Sequence, residues 1–410
     1  MTEVLRSTRD LDHIEDSSGA LWILAGQIAL VAAIFFGFGA STEVGPRVEL
    51  VLVLLPTAVM VVLAPPRRYR RLVLTLPVVA YLGWWLLSYL WTSNTGGFIL
   101  ESQRPLLFAA VMVTLVCYLP LPALTRGLLI GCYAVIAWTV LYTGMNPATA
   151  TVNDDAVPGW RGGFIHKNGM APFMLFAVLT IAMFEVRRLR RNAAIVVALF
   201  FVVMAQSTTS LLTGALLLSA AWVVRSLRAV PVAARGRIAA VMGMLGLLGA
   251  ALAVIWLPSA VTVFGKDPTL TSRTDIWGGV ISAIADRPVT GYGIGGVWID
   301  QAASHTRAIQ QSLGFVVFHS HNGYLEVALQ LGLTGLLLFV ALMLSTSRRA
   351  LALLDDHPRV GTYTLLFITL MAILSLTEVM TFGMWLVFLC ALSTLCARLR
   401  IDGAHHMSSG

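Results

Sequence analysis

Three polar stretches interrupt an otherwise apolar chain, and they hold the residues that could do chemistry. The first is Gly159-Trp160-Arg161-Gly162-Gly163-Phe164-Ile165-His166-Lys167-Asn168. It gathers two bases, a His and an Asn at the mouth of an expected helix. The second is Thr271-Ser272-Arg273-Thr274-Asp275-Ile276-Trp277. Arg273 stands at an expected helix start, where a guanidinium and free backbone N–H groups can share one anion. The third is Phe318-His319-Ser320-His321-Asn322-Gly323-Tyr324-Leu325-Glu326, which leads into another apolar run. Clustered Arg can hold a diphosphate bidentately. A neutral His nearby can take a proton from a hydroxyl, because its unperturbed pKa lies near about 6.5. The set suits group transfer from a lipid diphosphate to an acceptor hydroxyl, with the diphosphate leaving group as the driving force.

Each stretch also has a plainer reading. Arg161 and Lys167 would suit lipid headgroups. Arg273 would suit an ion pair with Asp275 or Asp286, and His319 and His321 ordinary interfacial hydrogen bonds. Glu326 is harder to explain that way, since a carboxylate one turn inside a membrane helix is costly and usually faces a polar cavity. It follows Asn322 by four residues, so both share one helix face. Glu378, near the outer end of a later run, invites the same reading less strongly. His319 and His321 make no recognised metal-ligand pattern with Asp300 or Glu326. Gly291-Tyr292-Gly293-Ile294-Gly295-Gly296 lacks the strand-turn-helix setting of a nucleotide fingerprint and reads as a tight turn.

The elements that must position these residues are membrane helices. Of 410 residues, 58% are hydrophobic and 12% charged, with a mean hydropathy of +0.82. A soluble domain carries about twice that charge, about 25%. Apolar runs fall at 20–40, 48–65, 72–91, 105–121, 124–144, 169–186, 193–206, 210–224, 237–257, 322–346, 360–377 and 382–397. They predict an all-α polytopic protein of twelve transmembrane helices. Residues 1–19 read as a cytoplasmic tail and 398–410 as another. Segment 20–257 carries helices one to nine with an outer loop at 145–168, and 322–397 carries helices ten to twelve. Residues 258–321 form one large extracytoplasmic loop with short helices. Within it, Ile276, Trp277, Val280, Ile281 and Ile284 share one helix face. Ser272 or Thr274 would cap that helix, Asp286-Arg287-Pro288 would stop it, and it would lie on the outer membrane surface.

Orientation follows from charge. With the N-terminus inside, twenty of the 28 basic residues fall in cytoplasmic segments and eight outside, as the positive-inside rule requires. The basic balance therefore marks topology rather than nucleic acid. Both termini are expected in the cytoplasm, and the three polar stretches on the outer face of the cytoplasmic membrane. All four cysteines lie in apolar runs, so no disulfide framework or metal cluster is implied.

At these residues the chain resembles the O-antigen ligase and O-antigen polymerase superfamily. Residues 160–168 resemble the "GxFxHKN" loop of its exopolysaccharide-polymerase branch. Arg273, Trp277, Arg287-Pro288 and Gly291-Tyr292-Gly293 resemble its "GR…W…RP..GYG" portion. His319 to Glu326, with Gly332 and Gly335, resemble "HNxYLExxxExGxxG". The resemblance implies a GT-C-like, metal-independent, inverting glycosyltransferase without a cofactor. Its donor would be a glycan on undecaprenyl diphosphate, and its acceptor a glycan or glycolipid. By motif, His321 would be the catalytic base and Arg273 would bind the diphosphate. Arg161, His166 and Lys167 would line the same cavity, with Asn168, His319, Asn322, Tyr324, Glu326 and Arg287 in support. Many members carry a base in an "SxSRxxL"-like turn after the seventh span. Here that turn reads Gln206-Ser207-Thr208-Thr209-Ser210-Leu211-Leu212. A second base would come from Arg161 or Lys167, or the donor contact is weaker. The HKN loop favours polymerase over ligase. Twelve spans with both termini inside would also suit a secondary transporter or lipid flippase, but the two halves differ in loop size, against the internal repeats common in transporters.

Overall fold

Each of the twelve apolar runs folds as a helix. The computed structural model describes residues 17–38, 46–65, 74–151, 159–262, 271–300, 303–311 and 316–408. In chain order the helices are α1 (Ser17–Gly37), α2 (Pro46–Leu63), α3 (Leu76–Leu87), α4 (Thr95–Tyr118), α5 (Leu121–Met145), α6 (Pro147–Ala150), α7 (Lys167–Phe184), α8 (Arg188–Met204), α9 (Thr208–Leu227), α10 (Val232–Thr262), α11 (Thr271–Asp286), α12 (Ser304–Gln311), α13 (Gly323–Ala352), α14 (Pro358–Leu374) and α15 (Gly383–Ser408). No strand occurs among the described residues.

Among the described residues, seven helices contain a stretch long and apolar enough to cross a membrane by length and composition: α1, α4, α5, α7, α9, α13 and α15. Shorter apolar helices cover Val48–Leu63, Leu76–Leu90 and Pro358–Leu374. The chain is thus an all-α membrane protein. The expected 1–19 tail lies outside the described residues as far as Asp16, and α1 opens at Ser17. The last helix does not stop at 397 but runs on to Ser408.

The chain divides into two units, one of Met1–Val73, Phe108–Gly214 and Ala397–Gly410, the other of Leu74–Leu107 and Ala215–Cys396. In the first, α1 packs on α2 and α5, and α7 on α8. Gly127 and Gly131 let α5 approach α1 closely: a Cβ at either would lie 3.0 Å from Leu30 or 2.9 Å from Ile34. Such small-xxx-small spacing is how apolar helices gain contact area where lipid is as apolar as side chains.

In the second unit, α13 packs on α3, α11 and α14, and it is broken at Gly332 (φ 71°, ψ −178°). A break in a membrane helix strands backbone groups unless protein satisfies them. Here the glycine turn does so. Tyr292 N–H donates to Leu329 O (3.0 Å), Gly293 N–H to Gln330 O (2.8 Å), and Leu333 N–H to Pro288 O (2.7 Å). The Trp84 indole N–H takes Leu331 O at 2.9 Å. The tight turn expected at 291–296 is present, with positive φ at Gly291, Gly293 and Gly295.

A Cβ on residue 332 would stand 2.1 Å from Val289 O. Gly332→Ala is expected to cost about 3 kcal/mol from overlap and left-handed strain together. Thermal unfolding of the detergent-purified protein measures it; a wild-type Tm would contradict the account of the break.

Helix α11 stops at Asp286 as expected but starts at Thr271, a turn earlier than a Thr274 cap would put it. Its apolar face is not spread on the membrane surface. Ile276, Val280 and Ala283 pack into a protein core with Tyr292, Val297, Trp298, Ile309, Val317 and Leu329. The helix twist leaves Ile281 off that face, 55% exposed. One arginine of the expected topology blocks also has a structural partner. Arg235 is buried, and it donates to Val230 O, Arg228 O and the Asp355 carboxylate at 2.7 Å. That hydrogen bond holds the Asp355 carboxyl below its ordinary range.

Candidate active site

The second unit brings Arg273 and the His319-Ser320-His321 turn onto one scaffold. Arg273 and Trp277 are one turn apart on α11, so they share a face. Arg273 Nη2 donates to Glu378 Oε1 at 3.0 Å, with side chains 19% and 10% exposed. The ion pair expected with Asp275 or Asp286 is therefore replaced by one to the turn after α14. Trp277 Nε1 donates to Ser320 O at 3.0 Å. The same α14–α15 turn also holds the start of α13. Asn322 Nδ2 donates to Leu376 O (3.1 Å), Gly323 N–H to Ser375 O (2.8 Å), and Thr381 Oγ1 to Gly323 O (3.0 Å). Tyr324 OH reaches Ala372 O at 3.0 Å.

Asn322 is the N-cap of α13. Its Oδ1 accepts from Tyr324 N–H (3.0 Å) and Leu325 N–H (3.1 Å), which is why an Asn suits the last residue before the helix. His321, just ahead of the cap, has φ +51°. A non-glycine residue there is strained, and such strain persists only where its surroundings over-determine it. His321 N–H donates to His319 Nδ1 at 3.2 Å, and the two rings lie 4.0 Å apart between centroids. Because His319 Nδ1 accepts, a neutral His319 carries its proton on Nε2.

Glu326 is 1% exposed. It accepts three N–H groups: Trp298 Nε1 (2.6 Å), Gln330 Nε2 (2.7 Å) and Ser320 N (2.8 Å). Sequence reasoning missed Trp298 and the role of Trp277. Only Trp277 left a signal, its i,i+4 spacing from Arg273. Arg287 is exposed, and its guanidinium sits 5.0 Å from the centroid of the Tyr292 ring. The His305 ring stacks on Tyr292 at 4.6 Å. Burial, then the charge of Asp286, raises the Tyr292 phenol above its ordinary range, and Arg287 opposes them.

The first unit carries the other stretch. His166 is the N-cap of α7, its Nδ1 accepting from Asn168 N–H at 3.1 Å. Lys167 opens the helix and is 9% exposed. Arg161 Nε donates to Thr149 O at 2.8 Å, and its Nη1 to Phe164 O and Ile165 O at 3.4 and 3.3 Å. The arginine thus folds its own loop. Trp160 N–H donates to Met204 O at 2.9 Å. A Cβ on Gly159 would meet Ala205 O at 2.2 Å and the Lys167 side chain at 3.1 Å. This loop therefore lies against the α8–α9 turn, which reads Gln206-Ser207-Thr208-Thr209 and carries no basic residue. In it Gln206 adopts φ +50°, and Ser207 is buried.

Residues 193–340 match the O-antigen ligase family. That match takes in Arg273, Arg287, His319, His321, Asn322, Tyr324 and Glu326, while the 159–168 stretch and Glu378 lie outside it. Over 240 residues the chain is 25% identical to the exopolysaccharide production protein ExoQ of Rhizobium meliloti (strain 1021), covering 54% of this chain and 53% of that protein. The chain thus spans about half the length of the curated relative it matches. Both findings agree with the superfamily resemblance carried by the three motifs. The matched region contains the helix α11, the glycine turn and the strained histidine together.

Proposed function

We propose that the chain is a membrane glycosyltransferase of surface-polysaccharide assembly. It moves a glycan from an undecaprenyl diphosphate carrier to an acceptor hydroxyl on the outer face of the cytoplasmic membrane. The observation that carries this reading is the joint anchoring of Arg273 and His321. Trp277, one turn from Arg273, holds the peptide that enters His321. In this reading the fold is GT-C-like, the chain crosses the membrane twelve times, and both termini are cytoplasmic.

The step needs no metal. The acceptor oxygen attacks the anomeric carbon as the bond from that carbon to the diphosphate oxygen breaks. The electron pair leaves with the diphosphate, where Arg273 meets the charge. The acceptor proton passes to the His321 imidazole. A single displacement from the side opposite the leaving group inverts the anomeric centre. Asn322, Tyr324 and Glu326 hold the turn, and His319 and Arg287 support it. Arg161, His166 and Lys167 enter as donor-binding residues, and Asn168 as a supporting one, on the resemblance alone. We favour the polymerase, which joins lipid-linked repeats. The HKN loop and the exopolysaccharide role named for the relative support that choice.

Deletion of the gene tests the reading. The expected result is accumulation of single repeats on the lipid carrier. Full-length chains left on the carrier would make the protein a ligase instead. Unchanged glycan with altered solute uptake would overturn the reading in favour of a transporter.

A further inference from the structure

Ser320 is fully buried, and its backbone is held at both ends. Its N–H donates to Glu326 Oε2 (2.8 Å), and its C=O accepts from Trp277 Nε1 (3.0 Å). Its hydroxyl donates to Asn322 O at 2.7 Å. The strained His321 therefore follows a residue with no freedom and precedes a helix cap. Glu326 is placed to hold that residue because its own position is fixed. Trp298 and Gln330 both donate to its Oε1. The Gln330 amide is itself oriented, since its Oε1 accepts Gly295 N–H at 3.1 Å. A carboxylate in a membrane helix is tolerated when both oxygens find donors, and here both do.

We propose that Glu326 is the positioning residue of the His319-Ser320-His321 turn, acting through the Ser320 N–H rather than on the substrate. This rests on the reading of His321 as the base. A glutamine at 326 tests it sharply, because an amide offers one acceptor where the carboxylate offers two. With its oxygen toward Trp298 and Gln330, two bonds survive, and the amide NH2 then opposes the Ser320 N–H. The turn loses its anchor while the side-chain network stays.

The experiment uses purified full-length protein in liposomes with a polyprenyl diphosphate-linked repeat as substrate. Glu326→Gln is expected to lower kcat about 100-fold with KM for the donor unchanged, as for a catalytic group displaced by about 1 Å. Trp298→Phe, which leaves the Ser320 bond intact, should lose clearly less. Wild-type kcat in Glu326→Gln would overturn the proposal. So would a raised KM at unchanged kcat, or equal losses in the two variants, which would mark mere packing. If Glu326→Gln does not fold, Glu326→Asp carries the test: the shorter carboxylate keeps its charge but cannot span both the Trp298–Gln330 pair and the Ser320 N–H. That variant should show the same fall in kcat at constant KM, and a wild-type kcat would overturn the proposal. His321→Ala run alongside separates the two readings. An active His321→Ala removes the base itself, whereas an active Glu326→Gln beside a dead His321→Ala sinks only the positioning role.

Discussion

His321→Ala is expected to lose about 10³-fold of glycan transfer, within the range for removal of a general base. The protein should still fold. The left-handed backbone at 321 strains His and Ala alike, and contacts of Ser320 and Asn322 hold the turn. His321→Asn, which tolerates the same backbone region, should keep the fold at least as well and remain inactive. Donor KM should change little in either variant, because the diphosphate grip lies with Arg273. Initial rates with a lipid-linked donor, normalised to folded protein, measure this. A His321→Ala enzyme within a few-fold of wild type would remove the base from the mechanism.

Arg273→Ala should lower kcat/KM about 10²- to 10³-fold, comparable to losing one preorganised group that stabilises transition-state charge. The loss has a structural component as well. Glu378 is 10% exposed, and removing one partner of a largely buried ion pair is destabilising. The double variant Arg273→Ala/Glu378→Ala is therefore the fair comparison. It should recover folded protein but not activity. Arg273→Lys keeps a charge without the planar fork that matches a diphosphate, so it should recover only part of the rate. If the double variant regained wild-type turnover, Arg273 would be a structural ion-pair partner and nothing more.

Much of this architecture was legible in the sequence. A polar break between apolar runs is a strong signal, because membrane helices must satisfy their backbone internally, and each of the twelve runs coincides with a helix. The glycine turn at 291–296 was legible for a similar reason, since its positive φ values require that residue type. Asn322 was read as the first residue of the 322–346 run, on one helix face with Glu326, and is the cap just ahead of that helix. Other features could not be read locally. Leu331-Gly332-Leu333 looks like uninterrupted helix. Its break exists only because residues 288–293 dock there and take up the freed backbone groups. Glu378 lies 105 residues from Arg273, and nothing in either neighbourhood names the other. Glu326 was recognisable as a costly intramembrane acid, but its three donors come from Trp298, Ser320 and Gln330, two of them beyond its helix. The apolar face of α11 was recognised, yet amphipathicity alone cannot distinguish a lipid surface from a protein core.

The central claim is a displacement at an anomeric carbon that frees the diphosphate carrier. Its most direct measurement is product stoichiometry: purified protein in liposomes, a polyprenyl diphosphate-linked repeat, and simultaneous counting of elongated glycan and released polyprenyl diphosphate. One carrier released per glycosidic bond formed, with neither product from His321→Ala, is the predicted result. Carrier moved across the bilayer with no new glycosidic bond would contradict it.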